Sequence, residues 1–309
     1  MKDNLALGLW AILVTCAGLS LGDALIKGMS TGFVLWQVFA LRSLIALPVL
    51  LLVAAVRGRT GALLPVAPGW TGLRSLLLVV MWLVYYISLP HLQFSAAAAA
   101  LYTIPIFMTL FSALLLKAPV GLGGWIAVVL GFAGVLAILQ PSREGFNLYA
   151  LLPLLSAVLY VLAMILTRTK CNDEDPLALS FALNLAMLAS GFLVTGALWL
   201  APIAERSGFL LGPWATMGGA EWMSMAFLAA MTLVGSIGAA IAYQNGPPAV
   251  IGVFDISYVG FAVLWDLVLF AQMPGRFAVI GMVQIVAGGI LSVRTAARGA
   301  NTRTGDARP

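Results

Sequence analysis

The run Trp125-Ile-Ala-Val-Val-Leu-Gly-Phe-Ala-Gly-Val-Leu-Ala-Ile-Leu139 contains no charged side chain. A strand of a membrane barrel would alternate apolar and polar residues over about ten positions. Here every position is apolar, so the segment reads as a helix buried in lipid, which satisfies its own backbone groups. Outward from it, apolar stretches bounded by Gly, Pro and charge fall at 5–29, 33–56, 71–91, 94–116 and 119–139. A second set falls at 147–168, 177–200, 222–245, 248–270 and 276–297. At about 20 apolar residues per crossing plus a connection, the chain length allows about ten spans.

Composition excludes a soluble fold. A chain of 309 residues would ordinarily make about two soluble domains, but it is 62% hydrophobic and only 9% charged, with a mean hydropathy of +1.06. A soluble domain carries roughly 25% charged residues. The net charge of +5 and pI of 9.5 therefore mark topology, not nucleic-acid binding. With the N-terminus inside, Lys2, Arg57, Arg59, Arg74, Lys117, Arg168, Lys170, Arg294, Arg298, Arg303 and Arg308 fall on the inner side. Only Lys27, Arg143, Arg206 and Arg276 fall outside. Both termini are expected in the cytoplasm and the chain in the cytoplasmic (inner) membrane. Cys16 sits in the first apolar segment and Cys171 in a charged loop, so no disulfide is expected.

The chain also resembles itself. Residues 88–139 and 243–294 both read as a polar loop, a span rich in small residues, a proline (Pro119, Pro274) and a Gly-rich span with matched glycines (Gly134, Gly289). Two copies of an odd-numbered five-helix unit must lie upside down to one another. The expected architecture is an all-α integral membrane protein of ten transmembrane helices in two inverted five-helix repeats. Residues 1–140 form the first, 141–297 the second, and 298–309 a disordered cytoplasmic tail.

The stretch Tyr86-Ile-Ser-Leu-Pro-His-Leu-Gln-Phe-Ser-Ala-Ala-Ala-Ala-Ala-Leu-Tyr102-Thr-Ile-Pro105 resembles the third-to-fourth-helix signature of the drug/metabolite transporter superfamily, in its EamA-type branch. Gly22-Asp23-Ala-Leu-Ile-Lys27 and Leu41-Arg42-Ser43 resemble its first two helices, and Gly131/Gly134 and Gly288/Gly289 its two repeat termini. The family often carries an acidic residue before its fifth and tenth helices. Here those places read Leu116-Lys117-Ala118-Pro119 and Ala271-Gln272-Met273-Pro274. The resemblance implies a transporter of small organic metabolites.

Charges inside spans are expensive and mark functional candidates. Asp23 and Lys27, four apart, share a helix face and are expected to pair. Arg42 lies roughly 14 Å from the outer end of its span and demands a carboxylate, carbonyls or an anionic ligand. Asp255 and Asp266 are separated by about 1,100° of rotation, returning within roughly 20° of one stripe near Tyr258. Trp82, Tyr85 and Tyr86 form an aromatic cluster suited to cations, planar rings or amphipathic ligands. Arg42, Trp82, Tyr85, Tyr86, Tyr102, Asp255 and Tyr258 are the expected substrate contacts. Asp23, Lys27, Asp266 and the mid-span Pro105 are the expected coupling or gating residues.

No G-x-x-x-x-G-K-[ST] occurs, so transport is expected to draw on a gradient. One histidine, His91, excludes an H-E-x-x-H protease, and an integral membrane enzyme is a remote alternative. The mixed charges favour a polar or zwitterionic metabolite, amino-acid-like or amine-bearing, moved by alternating access with protons as the coupling ion. Alternatives are an exporter of aromatic amino acids or amphipathic drugs, or an uncoupled uniporter or exchanger. No metal, cofactor or nucleic acid is expected, only the bilayer and a small-molecule substrate, with the chain a monomer or homodimer.

Overall fold

The computed structural model describes residues 5–58, 60–115, 121–139, 147–171, 173–201, 206–245 and 254–305. Among them there is no strand. The helices are α1 (Leu5–Met29), α2 (Leu35–Val56), α3 (Pro68–Ser88), α4 (Phe94–Leu101), α5 (Ile104–Leu115) and α6 (Leu122–Leu139). They continue with α7 (Leu152–Lys170), α8 (Pro176–Leu200), the one-turn α9 (Gly208–Leu211), α10 (Gly219–Asn245), α11 (Ser257–Phe270) and α12 (Arg276–Gly305). Seven helical stretches among the described residues are long and apolar enough to cross a membrane; Leu122–Ile138, Ser257–Phe270 and Arg276–Leu291 are shorter apolar helices. Their outward faces are apolar as well: Val56 is 80% and Leu193 72% exposed. Such a surface is stable only against lipid.

Local chemistry sets the boundaries. The Asp175 carboxylate accepts the Leu177 N–H at 2.9 Å and Pro176 takes the first helical position, an N-cap that starts α8. The expected single span 94–116 is interrupted instead. It turns at Tyr102 and Thr103, where the Thr103 hydroxyl donates to the Ala100 carbonyl at 2.7 Å, and Pro105 stands in the first turn of α5. Residues 254–255 are likewise helical, and a turn at Ile256 precedes α11. The last helix runs to Gly305, past residue 298 where the polar tail was expected to leave it. Ala296, Ala297 and Arg298 are good helix formers and continue the turn. Pro119, Lys117 and the preceding Leu116 lie outside the described residues, as do residues 306–309.

The heaviest packing joins α6 to α12, α1 to α10, α2 to α8 and α3 to α7, with α11 against both α1 and α4. At the α6–α12 crossing the two backbones touch. A Cβ on Gly134 would lie 2.7 Å from the Gly281 carbonyl oxygen, and one on Gly288 2.9 Å from that of Ala127. Small residues permit this approach in the absence of a hydrophobic drive between helices in lipid.

The α7–α8 loop is tied to α3 by Glu174. Its carboxylate accepts the N–H groups of Val66 (2.9 Å) and Ala67 (2.6 Å) and the Thr71 hydroxyl (3.2 Å). It thus serves the open N-terminus of α3 from far along the chain. Burial pushes its pKa up, but the three hydrogen bonds outweigh burial and hold it below the ordinary glutamate value of 4.5. A depressed folded pKa contributes stability that is complete above that value and lost as pH falls through the folded one. Glu174→Gln therefore lowers stability by about 1–2 kcal/mol at pH 7. The gap between variant and wild-type melting temperatures narrows below pH 4.5; a constant gap would refute the assignment.

Candidate functional site

The five-residue cluster at the centre begins with Asp23, 3% exposed on α1. Its two carboxylate oxygens are taken by phenols from different helices. The Tyr86 hydroxyl of α3 donates to Oδ1 at 2.9 Å, and the Tyr258 hydroxyl of α11 donates to Oδ2 at 2.5 Å. Arg42 of α2, also 3% exposed, donates from Nη1 to the Tyr86 hydroxyl at 3.4 Å and from Nη2 to the Met187 sulfur of α8 at 2.9 Å. The Tyr86 hydroxyl thus stands between a buried cation and a buried carboxylate. Net charge at the centre is close to zero, which is what lets both be buried.

Aromatic rings surround this link. Trp82 stacks on Tyr86 with centroids 5.2 Å apart, and Tyr85 tilts against it at 5.8 Å. Tyr102 stacks on Tyr258 at 4.7 Å and donates its hydroxyl to Asp255 Oδ1 at 3.4 Å. The Cys16 thiol donates to the same carboxylate oxygen at 3.4 Å. Of the seven residues expected to contact substrate, Arg42, Trp82 and Tyr86 line one cavity with Asp23, while Tyr85, Tyr102, Asp255 and Tyr258 lie outside its lining. This cavity, of about 30 Å³, is also lined by Asn184, Met187, Met231 and Thr232, among others. That volume has room for little more than water, too small for a metabolite.

Two of the residues expected to couple or gate sit elsewhere. The Lys27 ammonium does not pair with Asp23; it donates to the Leu92 carbonyl and lies 5.1 Å over the Phe270 ring. The two phenols outcompete the neighbour one turn away because the tertiary fold aims them at the carboxylate. Asp266, fully buried, accepts the N–H groups of Phe94 (3.2 Å) and Ser95 (2.6 Å) and so caps α4. Asp266→Ala leaves both donors buried and unpaired, and lowers stability by about 2 kcal/mol, read as a fall in melting temperature. A variant as stable as wild type would contradict the cap. Pro105 stands at the α4–α5 break, 3.7 Å from where a Gly289 Cβ would lie.

Sequence reasoning missed Asn184 and Met187. Asn184 is the only carboxamide in α8, a signal available in an otherwise apolar span, and it is 1% exposed. Nothing local distinguishes Met187 from any core methionine.

Residues 6–140 match the model of the EamA-like transporter family. The match covers just under half of the chain, and it is to this family that the first half is similar. A riboflavin transporter of Vibrio cholerae is 26% identical over 223 residues, 71% of this chain and 69% of that protein. Riboflavin transporters of Rhizobium johnstonii (29% over 204 residues) and Brucella anthropi (26% over 191 residues) match across 65% and 62% of this chain. These two matches span 62% and 64% of the relatives' own lengths. A solved crystal structure superposes on 96% of the chain and 99% of its own with a TM-score of 0.61 at 19% identity, a likeness of fold. The apolar helices and these likenesses support a multi-pass membrane transporter of a small metabolite.

Proposed function

We propose that this chain is a transporter of the EamA type and carries a planar, polar ring metabolite of the flavin kind across the inner membrane by alternating access. The observation that carries the reading is the central cavity, lined by the compensated Asp23–Arg42 pair with the stacked Trp82 and Tyr86, beside which Tyr258 donates to Asp23 and stacks on Tyr102. Aromatic walls with few polar groups favour a flat ring over a freely hydrated amino acid. The three relatives named riboflavin transporter support the same substrate class.

Alternating access rests on ten spans in two inverted halves, with both termini cytoplasmic. The seven long helices and three shorter apolar ones support that count. The packing pattern supports the symmetry. Exchanging halves carries α1–α10 onto α7–α3, α2–α10 onto α8–α3, and α1–α11 onto the contacts of α7 with α4 and α5; α2–α8, α4–α11 and α6–α12 map onto themselves. The interruptions at Tyr102–Thr103 and Ile256 fall at matching points of the two proposed halves, next to the Tyr102–Tyr258 stack, and support a reading in which cargo binds at such breaks. Asp23 and Asp255 are the carboxylates available to a coupled proton.

A second reading, an amine-bearing or zwitterionic substrate, is favoured by the half-buried Asp255 carboxylate. Proteoliposomes separate the two. Saturable riboflavin uptake that responds to an imposed pH gradient is expected. Uptake of amino acids with none of riboflavin would replace the first reading by the second.

A further inference from the structure

Among the residues that line the cavity, two buried polar atoms have no hydrogen-bond partner in the described structure: Nε of Arg42 and Oδ1 of Asn184. Both side chains line the cavity, and neither is free to turn away. Arg42 is oriented by its Nη1 contact to Tyr86 and its Nη2 contact to Met187, which leaves Nε–H as the spare donor. The Asn184 amide is oriented by Nδ2, which donates to the Ser180 carbonyl one turn earlier at 2.9 Å. Its oxygen is therefore the spare acceptor. Asn184 and Met187 stand three apart on α8, neighbours on one helix face about 5–6 Å apart. Since Met187 touches Arg42, the spare donor and acceptor border the cavity from adjoining walls.

Buried donors and acceptors without partners are destabilising and call for an explanation. The charge pattern selects the ligand that would supply one. A carboxylate would suit Arg42 but meet a second acceptor in Asn184. An ammonium would suit Asn184 but meet the guanidinium. Arg42 is moreover already linked to Asp23 through the Tyr86 hydroxyl. We propose that Arg42 Nε–H and Asn184 Oδ1 form a donor–acceptor subsite for a neutral ring edge in which a carbonyl stands beside an N–H, as in a cyclic imide or lactam. This rests on the ring-metabolite reading above and names the edge by which that ring is held. Trp82 and Tyr86 supply a face for the ring. The unbranched thioethers of Met187 and Met231 are the side chains that yield as the cavity widens.

The test uses purified full-length protein and two probes, riboflavin and its 3-methyl derivative, which differ only in whether the ring edge carries N–H or N–CH3. Wild-type protein is expected to bind riboflavin about 10- to 100-fold more tightly than the derivative, as a site built to pair that edge requires. In Asn184→Leu protein the two affinities converge, because neither probe then finds an acceptor at that edge. Equal wild-type affinity for both probes would overturn the subsite and leave the flavin reading standing. Absence of riboflavin binding altogether would overturn both. The wild-type comparison needs no variant, so a folding defect in Asn184→Leu does not shelter the proposal.

Discussion

Uptake is lost in Asp23→Asn protein and its melting temperature falls, while adding Arg42→Gln restores the melting temperature and not the uptake. Asparagine keeps the shape of Asp23 and still accepts from one of Tyr86 and Tyr258, so packing on α1 is preserved. The charge is gone, however, and Arg42 is left in the interior with a phenol at 3.4 Å and a thioether at 2.9 Å. Removing one partner of a buried charge pair costs about 3–5 kcal/mol, whereas removing both is often nearly neutral. The double variant therefore recovers most of the stability. Transport stays absent because the polar centre of the cavity is missing from both variants. Wild-type uptake by Asp23→Asn would remove the residue from the site. A double variant no more stable than the single one would show that the two charges do not compensate each other.

Gly134→Val destabilises the protein by about 3 kcal/mol, the upper part of the range for overpacking. A Cβ there meets the Gly281 carbonyl oxygen at 2.7 Å and Ile285 Cγ1 at 2.9 Å. The first of these is backbone and cannot rotate aside, so α6 and α12 must separate. The control is Gly196→Ala on α8, where nothing lies within 4 Å of the added Cβ. That change gains helix propensity and is neutral or stabilising by up to about 1 kcal/mol. Melting temperatures in detergent, with size-exclusion profiles, separate the two. Equal behaviour of both variants would show that the crossing tolerates a side chain.

How much was legible depended on range. Spans as long and apolar as Leu5–Met29 and Pro176–Leu200 announce themselves because a helix in lipid must be apolar on all sides. The cost of burying charge made Asp23, Arg42 and Asp255 visible as candidates. The local rule then misled. It joined Asp23 to Lys27 because they are one turn apart, and it put Asp266 on a functional stripe. In the fold, Asp23 meets Tyr86 and Tyr258 from two other helices, Lys27 meets Leu92, and Asp266 caps α4.

Composition and span length were enough to put this chain in a membrane and to single out the few charges that had to be sheltered. Periodicity and transfer free energy are local quantities, readable one segment at a time. Which groups shelter them is settled by contacts between distant helices: Glu174 over the start of α3, Met187 and Asn184 beside Arg42, a phenol between cation and carboxylate. Those partners lie on other helices far along the chain, and hydrogen bonding acts over a few ångströms in space regardless of separation in sequence.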